Sequence, residues 1–400
     1  MFYHSHNIFH IGAKARNVAI IFGLITIIEG VLWYFLPIYF ESQVNSLLLV
    51  GILISSHPIA SVLASLPSGD ICDKVGRKFA FILGLIGFAF SFIFLLIGNF
   101  VSLLIFMIIY GVFSTMYGIS AFVSILDHTK TKYAGEAAGF FTSMQYSGWL
   151  FGSLFSGILI LLFDFTLVMQ ILILSLIAIF SFSLFVFPGK SHLNFKEFVN
   201  VEHILARDRV FIGEWKSISR LGMPLISIFA FVFAFGYWEY AIWIFEPIYT
   251  NYIGAGVILG AAILALISLP GAISAFVAGA LTDRIGVRRM LPIGAVLIII
   301  GQLVFLAMQT LATLAMSLIV TSFGSLFVLI PIDYYLKKHV NRKIRGEVDG
   351  SAEMFYNIGG IIGPLTIGIA LTLSNLTNLY YFTFALFAIA IATLPWLRDI

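Results

Sequence analysis

Two glutamates stand inside apolar stretches of this sequence, and the two stretches resemble each other. Residues 29–39 read EGVLWYFLPIY, and residues 239–249 read EYAIWIFEPIY. Glu, Trp, Phe, Pro, Ile and Tyr recur at the same offsets, which indicates an internal repeat with an acid in each copy. The carboxyl groups of Glu29 and Glu239 are therefore expected at equivalent positions of two similar halves.

Carboxyl groups in such apolar surroundings are suited to proton or cation chemistry. A charged side chain at the centre of a bilayer costs about 2.5 to 3.5 kcal/mol even on a lenient insertion scale, so an acid there is neutral, paired or hydrated in a cavity. The apolar segments contain no Lys or Arg to pair with Glu29 or Glu239. We therefore predict that both take part in proton coupling or cation binding. The alternative is that both are protonated and hydrogen-bonded to neighbouring helices, with a role in packing alone.

Two further polar residues are candidates of the same kind. Glu246 lies seven residues beyond Glu239, and Leu36 occupies the equivalent position of the first half. It either guards an extracellular mouth or reaches water at the membrane interface. His57, which precedes Pro58, either relays a proton or packs as a hydrogen-bonded side chain. The acids interpreted as membrane-boundary residues are Asp127, Asp333 and Glu353.

Aromatic residues accompany the repeated acids. Trp33 and Trp243 each follow a glutamate by one helical turn. An aromatic surface beside a carboxylate suits a lipophilic cation, which gains about 0.5 to 2 kcal/mol per cation–π contact. Aromatic residues of membrane proteins also form interfacial belts and fill space, which stays the alternative for each of them. The aromatic residues predicted to line the site are Trp33, Trp243, Tyr117, Tyr146 and Tyr237.

The composition is that of a protein with many membrane spans. Of the 400 residues, 60% are hydrophobic and 10% are charged, which lies far outside the range of soluble domains. A helix that crosses about 30 Å of hydrocarbon needs roughly 20 apolar residues, and twelve segments meet that requirement. Their approximate ranges are 17–40, 47–66, 79–98, 101–126, 135–163, 165–187, 223–249, 256–280, 290–307, 311–335, 350–373 and 379–397.

The basic residues all fall on one side of this arrangement. When the N-terminus is placed in the cytoplasm, all 22 Lys and Arg residues lie in the cytoplasmic tails and loops. By the positive-inside rule, this distribution predicts that the N- and C-termini are cytoplasmic. The longest polar break, 188–221, is interpreted as a cytoplasmic linker between two six-helix halves, 1–187 and 222–400.

A pattern of glycine, aspartate and basic residues follows the second apolar segment and recurs after the eighth. Glycine lets a neighbouring helix approach, and basic residues anchor at the cytoplasmic interface. The pattern resembles the signature of the major facilitator superfamily, in which an aspartate follows a glycine by four residues and a second glycine precedes basic residues. The matching residues are Gly69, Asp73, Gly76, Arg77 and Lys78 in the first copy and Gly279, Asp283, Gly286, Arg288 and Arg289 in the second.

The fifth and eleventh segments carry a glycine series that is similar to the antiporter-associated motif of that family. Glycines at these spacings allow close helix crossing, and proline allows local bending. In the first half Ser153 replaces the expected proline. The series therefore either serves packing alone or also marks an exchange transporter. Its members are Gly139, Gly148, Gly152 and Gly157 in the first half and Gly350, Gly359, Gly363, Pro364 and Gly368 in the second.

The resemblance covers the whole chain. It implies an all-α membrane protein with twelve transmembrane helices in two pseudo-symmetric six-helix bundles. In this family the bundles rock about a central cavity lined mainly by the first, fourth, seventh and tenth helices. Glu29 and Glu239 are then expected to face the cavity from opposite halves, and Asp73 and Asp283 to help hold the cytoplasmic side closed. One departure is Ser114, which stands where drug and proton antiporters of the family have an arginine.

We therefore expect a secondary transporter of the cell membrane that works by alternating access and exports lipophilic neutral or cationic small molecules in exchange for protons. The alternatives are proton symport of a neutral nutrient such as a sugar, and a non-transporting sensor or lipid-handling protein on the same fold. The sequence contains no nucleotide-binding loop, nucleophile constellation or metal-ligand cluster. We expect no enzyme activity, no cofactor and no metal. The expected protein is a monomer whose partners are its substrate, protons and the lipid bilayer, and it does not bind nucleic acid.

Overall fold

The computed structural model describes residues 11–130, 133–189, 222–339, 345–372 and 376–397, and these ranges contain helices and turns but no strand. Eleven of the described segments are long and apolar enough to cross a membrane, and the last helix is a shorter apolar one. The helices are α1 (Ala13–Val44), α2 (Leu47–Lys74), α3 (Arg77–Ile97), α4 (Phe100–Asp127), α5 (Ala134–Leu162), α6 (Phe165–Val186), α7 (Met223–Tyr252), α8a (Val257–Ala265), α8b (Leu269–Ile285), α9 (Val287–Met308), α10 (Leu311–His339), α11 (Arg345–Thr372) and α12 (Leu376–Ala392). The predicted all-α membrane architecture is confirmed. Most of the predicted linker, 190–221, lies outside the described residues.

The eighth predicted segment, 256–280, differs from the expectation of one continuous helix. It consists of α8a and α8b, which are separated by a turn at 266–268. The cause is Pro270 in the first turn of α8b, because proline has no N–H to continue the preceding helical ladder. The Ser322 hydroxyl of α10 donates a hydrogen bond to the backbone oxygen of Ile267 in this turn. The break leaves backbone carbonyls without helical partners, and α10 supplies a hydrogen bond to one of them, that of Ile267.

Several helices are longer than the apolar segments from which they were predicted. The second was expected to end near residue 66, but α2 continues to Lys74, so most of the signature pattern is helical and not a loop. Counting apolar residues measures the thickness of the hydrocarbon core, whereas a helix continues into the interface as long as its backbone hydrogen bonds favour it. The actual breaks are Gly76 and Gly286, whose φ angles of 123° and 85° lie in the region that favours glycine.

The helix pairs of the two halves match each other. Helix α1 packs on α5 as α7 packs on α11, and α3 packs on α4 as α9 packs on α10. Contacts between the halves run through three groups of helices, in which α2 meets α11, α5 meets α8a and α8b, and α1 meets α7. The result is two pseudo-symmetric bundles with α1 and α7 facing each other near the centre, which brings the repeated acid segments together.

Two ends of the molecule are distinguished by charge. The basic end carries the first turn of α3, with Arg77 and Lys78, and the first turn of α9, with Arg288 and Arg289. The non-basic end is the opposite one, where α1 ends at Val44, and its described turns contain no Lys or Arg.

Glycines set the close approach of the helices that carry the acids. A methyl group added at Gly152 of α5 would overlap the backbone oxygen of Ile27 and lie 2.8 Å from the Cα of Gly30, both on α1. At Gly363 of α11, an added Cβ would lie 2.5 Å from the backbone oxygen of Tyr237 on α7. Gly148 and Gly359 make the same kinds of close contact one turn away, with α1 and α7 respectively, whereas Gly139 has open space beside it.

We expect Gly152→Ala to destabilise the protein by about 1 to 3 kcal/mol, because the added methyl group meets helix backbone that cannot move aside as a side chain would. Thermal unfolding in detergent measures the change. Gly139→Ala on the same helix is the matched control, since it has room for the methyl group, and its unfolding temperature should stay near that of the parent. Equal destabilisation by both substitutions would contradict the assigned packing role.

Candidate functional site

A cavity of about 220 Å³ lies between the two halves, and both repeated acids line it. Its other lining residues come from α1, α2, α4, α5, α7 and α11. The structure differs here from the expectation of a site lined mainly by the first, fourth, seventh and tenth helices, because no described residue of α10 lines this cavity. A cavity of this size is smaller than the range of about 300 to 1,000 Å³ that is usual for small-molecule sites, so it suits a small ligand or one state of a site that changes volume.

Glu29 is held on the first-half wall of the cavity by two aromatic donors. Its side chain is buried, with 7% of its surface exposed. The Tyr117 hydroxyl on α4 donates to Oε1, and the Trp149 indole on α5 donates to Oε2 over 3.2 Å. Each carboxyl oxygen therefore has a partner, which meets the requirement that buried polar groups be hydrogen-bonded. No Lys or Arg lines the cavity among the described residues.

Glu239 is held on the opposite wall by one donor. The Tyr356 hydroxyl on α11 donates to its Oε2 over 2.5 Å, and 9% of the Glu239 side chain is exposed. Glu239 therefore takes its donor from α11, whereas Glu29 takes its donors from α4 and α5.

An aromatic layer, formed by Trp33, Trp149, Tyr240 and Trp243, crosses the gap between the halves beside the acids. The ring centres of Trp33 and Trp243 are 6.4 Å apart, and those of Trp33 and Tyr240 are 6.0 Å apart. Trp149 and Trp243 approach edge to face at 6.1 Å. These separations are within the range of favourable aromatic pairs. The layer closes the cavity on the side of the non-basic end.

His57 lines the cavity next to this layer. Its Nε2 lies 3.2 Å from the hydroxyl of Ser114, and its ring packs edge-on to Trp33 at 5.4 Å and against Tyr110 at 4.6 Å. Its Nδ1 has no hydrogen-bond partner among the described residues. Ser114, at the position where drug and proton antiporters of the family have an arginine, therefore contacts the His57 ring and brings no charge to the site.

Three residues expected at the site lie elsewhere. Tyr237 is buried behind the wall, where its hydroxyl bonds to Thr366 over 2.8 Å. Tyr146 is buried against Gly271 of α8b, across the contact between the halves. Glu246 is fully buried at a separate place closer to the non-basic end. Their types fitted a cavity, but the helical phase of each one points it into a helix contact.

Several lining residues were absent from the predicted site. Glu353 was interpreted as a boundary acid, but it lines the cavity. Gln145 and Tyr356 each precede the equivalent glycines of the two series, Gly148 and Gly359, by three residues. Because Gly148 and Gly359 pack on the two acid-bearing helices, the residues one turn earlier are brought near the acids. An alignment of the two glycine series would have identified Gln145 and Tyr356 as lining residues.

At the basic end, the first signature copy forms an ionic cluster within one half. Arg77 donates to the Asp73 carboxylate one turn before it, and its Nε donates to Asp127 of α4 over 3.1 Å. The Lys78 ammonium is buried and donates to the backbone oxygen of Leu184 in α6 over 2.7 Å. In the second copy Arg288 is exposed, and the side chain of Asp283 lies outside the described residues. The cluster ties α2, α3, α4 and α6 together.

The halves are joined on the non-basic side of the acids. The Tyr34 hydroxyl of α1 donates to the backbone oxygen of Val257 in α8a over 3.0 Å, and Ser55 of α2 donates to Ile361 of α11 over 2.8 Å. At the basic end, Gly69 has open space beside it, and the lining acid Glu353 is exposed. The cavity therefore opens toward the basic end and is closed toward the other.

Apolar helices in two pseudo-symmetric bundles around a central cavity with embedded acids are the architecture of a membrane transporter. Residues 18–269, and again residues 226–399, match the family model described as Major Facilitator Superfamily. The chain belongs to this family, and it is a transporter and not an enzyme.

The names of similar proteins refer to several kinds of substrate. The chain is 25% identical over 367 residues to Multidrug resistance protein 2 of Bacillus subtilis, which covers 87% of this chain and 86% of that protein. Its fold is similar to that of the nucleoside transporter NupG, with a TM-score of 0.74, 14% identity and coverage of 96% of this chain and 100% of that one. It is also similar to a D-xylose-proton symporter, with a TM-score of 0.70, 15% identity and coverage of 96% of both chains. At these identities, the two solved structures indicate the fold alone.

We expect Tyr356→Phe to destabilise the protein by about 1 to 3 kcal/mol, because it leaves a buried carboxyl oxygen of Glu239 without its donor. The measurement is the unfolding temperature in detergent, at a pH held constant. Tyr381→Phe is the control, since Tyr381 is 60% exposed and its hydroxyl makes no comparable contact with an acid. An unfolding temperature equal to that of the parent would show that the hydrogen bond seen here does not stabilise the site.

Proposed function

We propose that this transporter exports lipophilic cationic or neutral small molecules in exchange for protons that bind Glu29 and Glu239. The observation that carries the proposal is the placing of both acids beside an aromatic layer in one cavity, without Lys or Arg among the described lining residues. A carboxylate next to an aromatic surface attracts an organic cation, and the aromatic faces add about 0.5 to 2 kcal/mol per contact. The name of the Bacillus subtilis relative is consistent with such a substrate.

The proposed exchange follows from what an acid in this cavity needs. Without a counter-charge, each acid is stable either in its protonated form or with a cation beside it, since an isolated charge is costly in the membrane interior. Proton binding and cation binding then compete for the same carboxyl group. This competition couples the movement of protons to that of the cation, because each carboxyl group binds either the proton or the cation.

Orientation and location belong to the same proposal. All Lys and Arg residues fall on the side assigned to the cytoplasm, so the basic end is proposed to face the cytoplasm of a cell membrane. The cavity that opens toward the basic end would then be the inward-open state, ready to load a substrate from the cell. Opening of the non-basic end after the halves rock would release that substrate outside.

A second candidate function is proton symport of a neutral solute. The observation in its favour is a set of neutral hydrogen-bonding side chains on the cavity wall, among them Ser61, Gln145 and Asn357. Such groups suit the hydroxyls of a sugar or nucleoside, and the two fold neighbours are named for substrates of those kinds. A non-transporting sensor or lipid-handling role is the third alternative, and it predicts no substrate-driven proton movement at all.

Proton movement in proteoliposomes that contain a pH dye tests the proposal. With tetraphenylphosphonium as the lipophilic cation, we expect the parent protein to move protons in the direction opposite to the cation. The double variant Glu29→Gln, Glu239→Gln keeps the shape and hydrogen bonding of both side chains but not the charge, and its signal should fall to that of protein-free liposomes. Glu41→Gln on α1 is the matched control, since this acid lies outside the cavity, and it should retain the signal.

The other results of this assay separate the alternatives. Proton entry together with D-xylose or uridine, and not against tetraphenylphosphonium, would replace export with symport. An unchanged signal in the double variant would remove the coupling role of the two acids. No proton movement across the whole panel in the parent would favour the sensor or lipid-handling role.

The ionic cluster of Asp73, Arg77 and Asp127 is proposed to serve the gate at the basic end. We expect Asp73→Ala to reduce turnover several-fold, because Arg77 loses one of its two carboxylate partners and α2 and α3 are no longer tied in one position. Asp73 is largely exposed, so the loss in stability should stay within about 1 kcal/mol. Transport rate and unfolding temperature are measured together, with Glu41→Ala as the control. Full turnover of Asp73→Ala would refute the gate role.

A further inference from the structure

Glu246 is a buried acid that the cavity does not use. None of its side chain surface is exposed, and neither carboxyl oxygen has a hydrogen-bond partner among the described residues. It lies two turns beyond Glu239 on α7, past the aromatic layer and toward the non-basic end. The equivalent first-half residue is Leu36, which is also fully buried. Packing at this position is therefore satisfied by an apolar side chain, and an acid needs another explanation.

The surroundings of Glu246 form the contact that closes the non-basic end. Tyr34 of α1 reaches across the halves to bond Val257 of α8a, and it is close enough to Glu246 to interact with its charge. The Thr250 hydroxyl donates to the backbone oxygen of Glu246 over 2.9 Å. A Cβ at Gly260 would lie 2.5 Å from the Tyr34 hydroxyl, so the contact is tightly packed. Opening of the non-basic end requires the hydrogen bond between Tyr34 and Val257 to break.

Few charged or titratable groups face Glu246 from the elements around it. On α1 the group is the Tyr34 hydroxyl, and α8a has no titratable residue in its sequence. Among the described side chains of the other helices packed on α7, those of α11 that titrate surround Glu239, and α12 places Tyr380 against Phe245. No described basic side chain is paired with Glu246, so nothing seen here compensates a negative charge in this closed contact.

We propose that Glu246 is a proton-binding site of the non-basic gate, separate from the transport cavity, and that the gate closes when Glu246 is protonated and opens when it loses the proton. In the closed state the carboxyl group has lost water and gained neither a hydrogen bond nor a cation, so its neutral form is strongly favoured. When the end opens, water reaches the group and the charged form becomes stable. Protons therefore favour closure, and their removal favours opening.

The role of Glu246 differs from that of the cavity acids. Glu29 and Glu239 line a space that stays open to one end, and both have hydrogen-bond donors, so they remain solvated by water or protein in this state. Glu246 is sealed here and is reached only when the non-basic end opens. Its proton thus leaves to the side from which it came. Glu246 sets the conformational equilibrium without adding a proton to the transport stoichiometry.

The gate is tested by measuring its distance directly, without transport. Spin labels are placed at Ser42→Cys of α1 and Asn251→Cys of α7, both exposed near the non-basic end, in a Cys72→Ser background and in lipid nanodiscs. In the otherwise unchanged protein, we expect the ratio of long to short distances to rise about tenfold or more between pH 5 and pH 8. In Glu246→Gln the short distance should dominate at both pH values, with less than about a twofold change in the ratio.

Two companion variants make the result specific. Glu246→Leu places the residue of the first half in the same site, and it should behave as Glu246→Gln does. Glu29→Gln, Glu239→Gln should keep the pH-driven opening, even if it has lost all proton exchange, so the gate and the proposed transport function succeed or fail separately. A tenfold pH response in Glu246→Gln, or a response lost only with the cavity acids, would overturn the proposal. So would a parent protein whose distances do not depend on pH.

Discussion

The constraint on which this structure depends is the need of a carboxyl group inside a membrane for a partner. Glu29 meets it with a tyrosine hydroxyl and an indole N–H, and Glu239 meets it with a tyrosine hydroxyl. The donors lie on neighbouring helices, so the helices must come close together. Four glycines allow that approach, because a Cβ at each would meet the backbone of α1 or α7: Gly148 and Gly152 on α5 and Gly359 and Gly363 on α11. Polar chemistry and helix packing are thus parts of one arrangement.

The two halves keep the repeat where packing requires it and depart from it where the site needs different chemistry. The glycine contacts are equivalent in both halves, as are the helix pairs. Glu29 has two aromatic donors, Tyr117 and Trp149, whereas Glu239 has one, Tyr356. Leu36 has Glu246 as its counterpart, so only one half carries an acid at the non-basic contact. An internal duplication that had stayed symmetric would bind at both walls in the same way.

Repeated residues made parts of this structure predictable, and unrepeated ones did not. The acids and the glycine series recur in both halves, so their type and relative position could be taken from the sequence. The division of the eighth span could not, because Pro270 is compatible with either a kink or a new helix start. The wrong placement of Tyr237 and Tyr146 has another cause: composition reveals an aromatic residue but not which side of a buried helix it occupies. Helices that are apolar all round give no periodicity from which to read that side.

The aromatic layer separates the two places at which we propose that this chain binds a proton. Glu29 and Glu239 lie on the side of the cavity, and Glu246 lies beyond Trp243 in the sealed contact under Tyr34. The rings of the layer, which meet edge to face or tilted, lie between the two places. Under the proposed exchange, a proton passes from one place to the other only when the halves move. The stability of the layer then matters to the proposed coupling as much as the acids do, because an acid that reached both ends at once would let protons leak across the membrane.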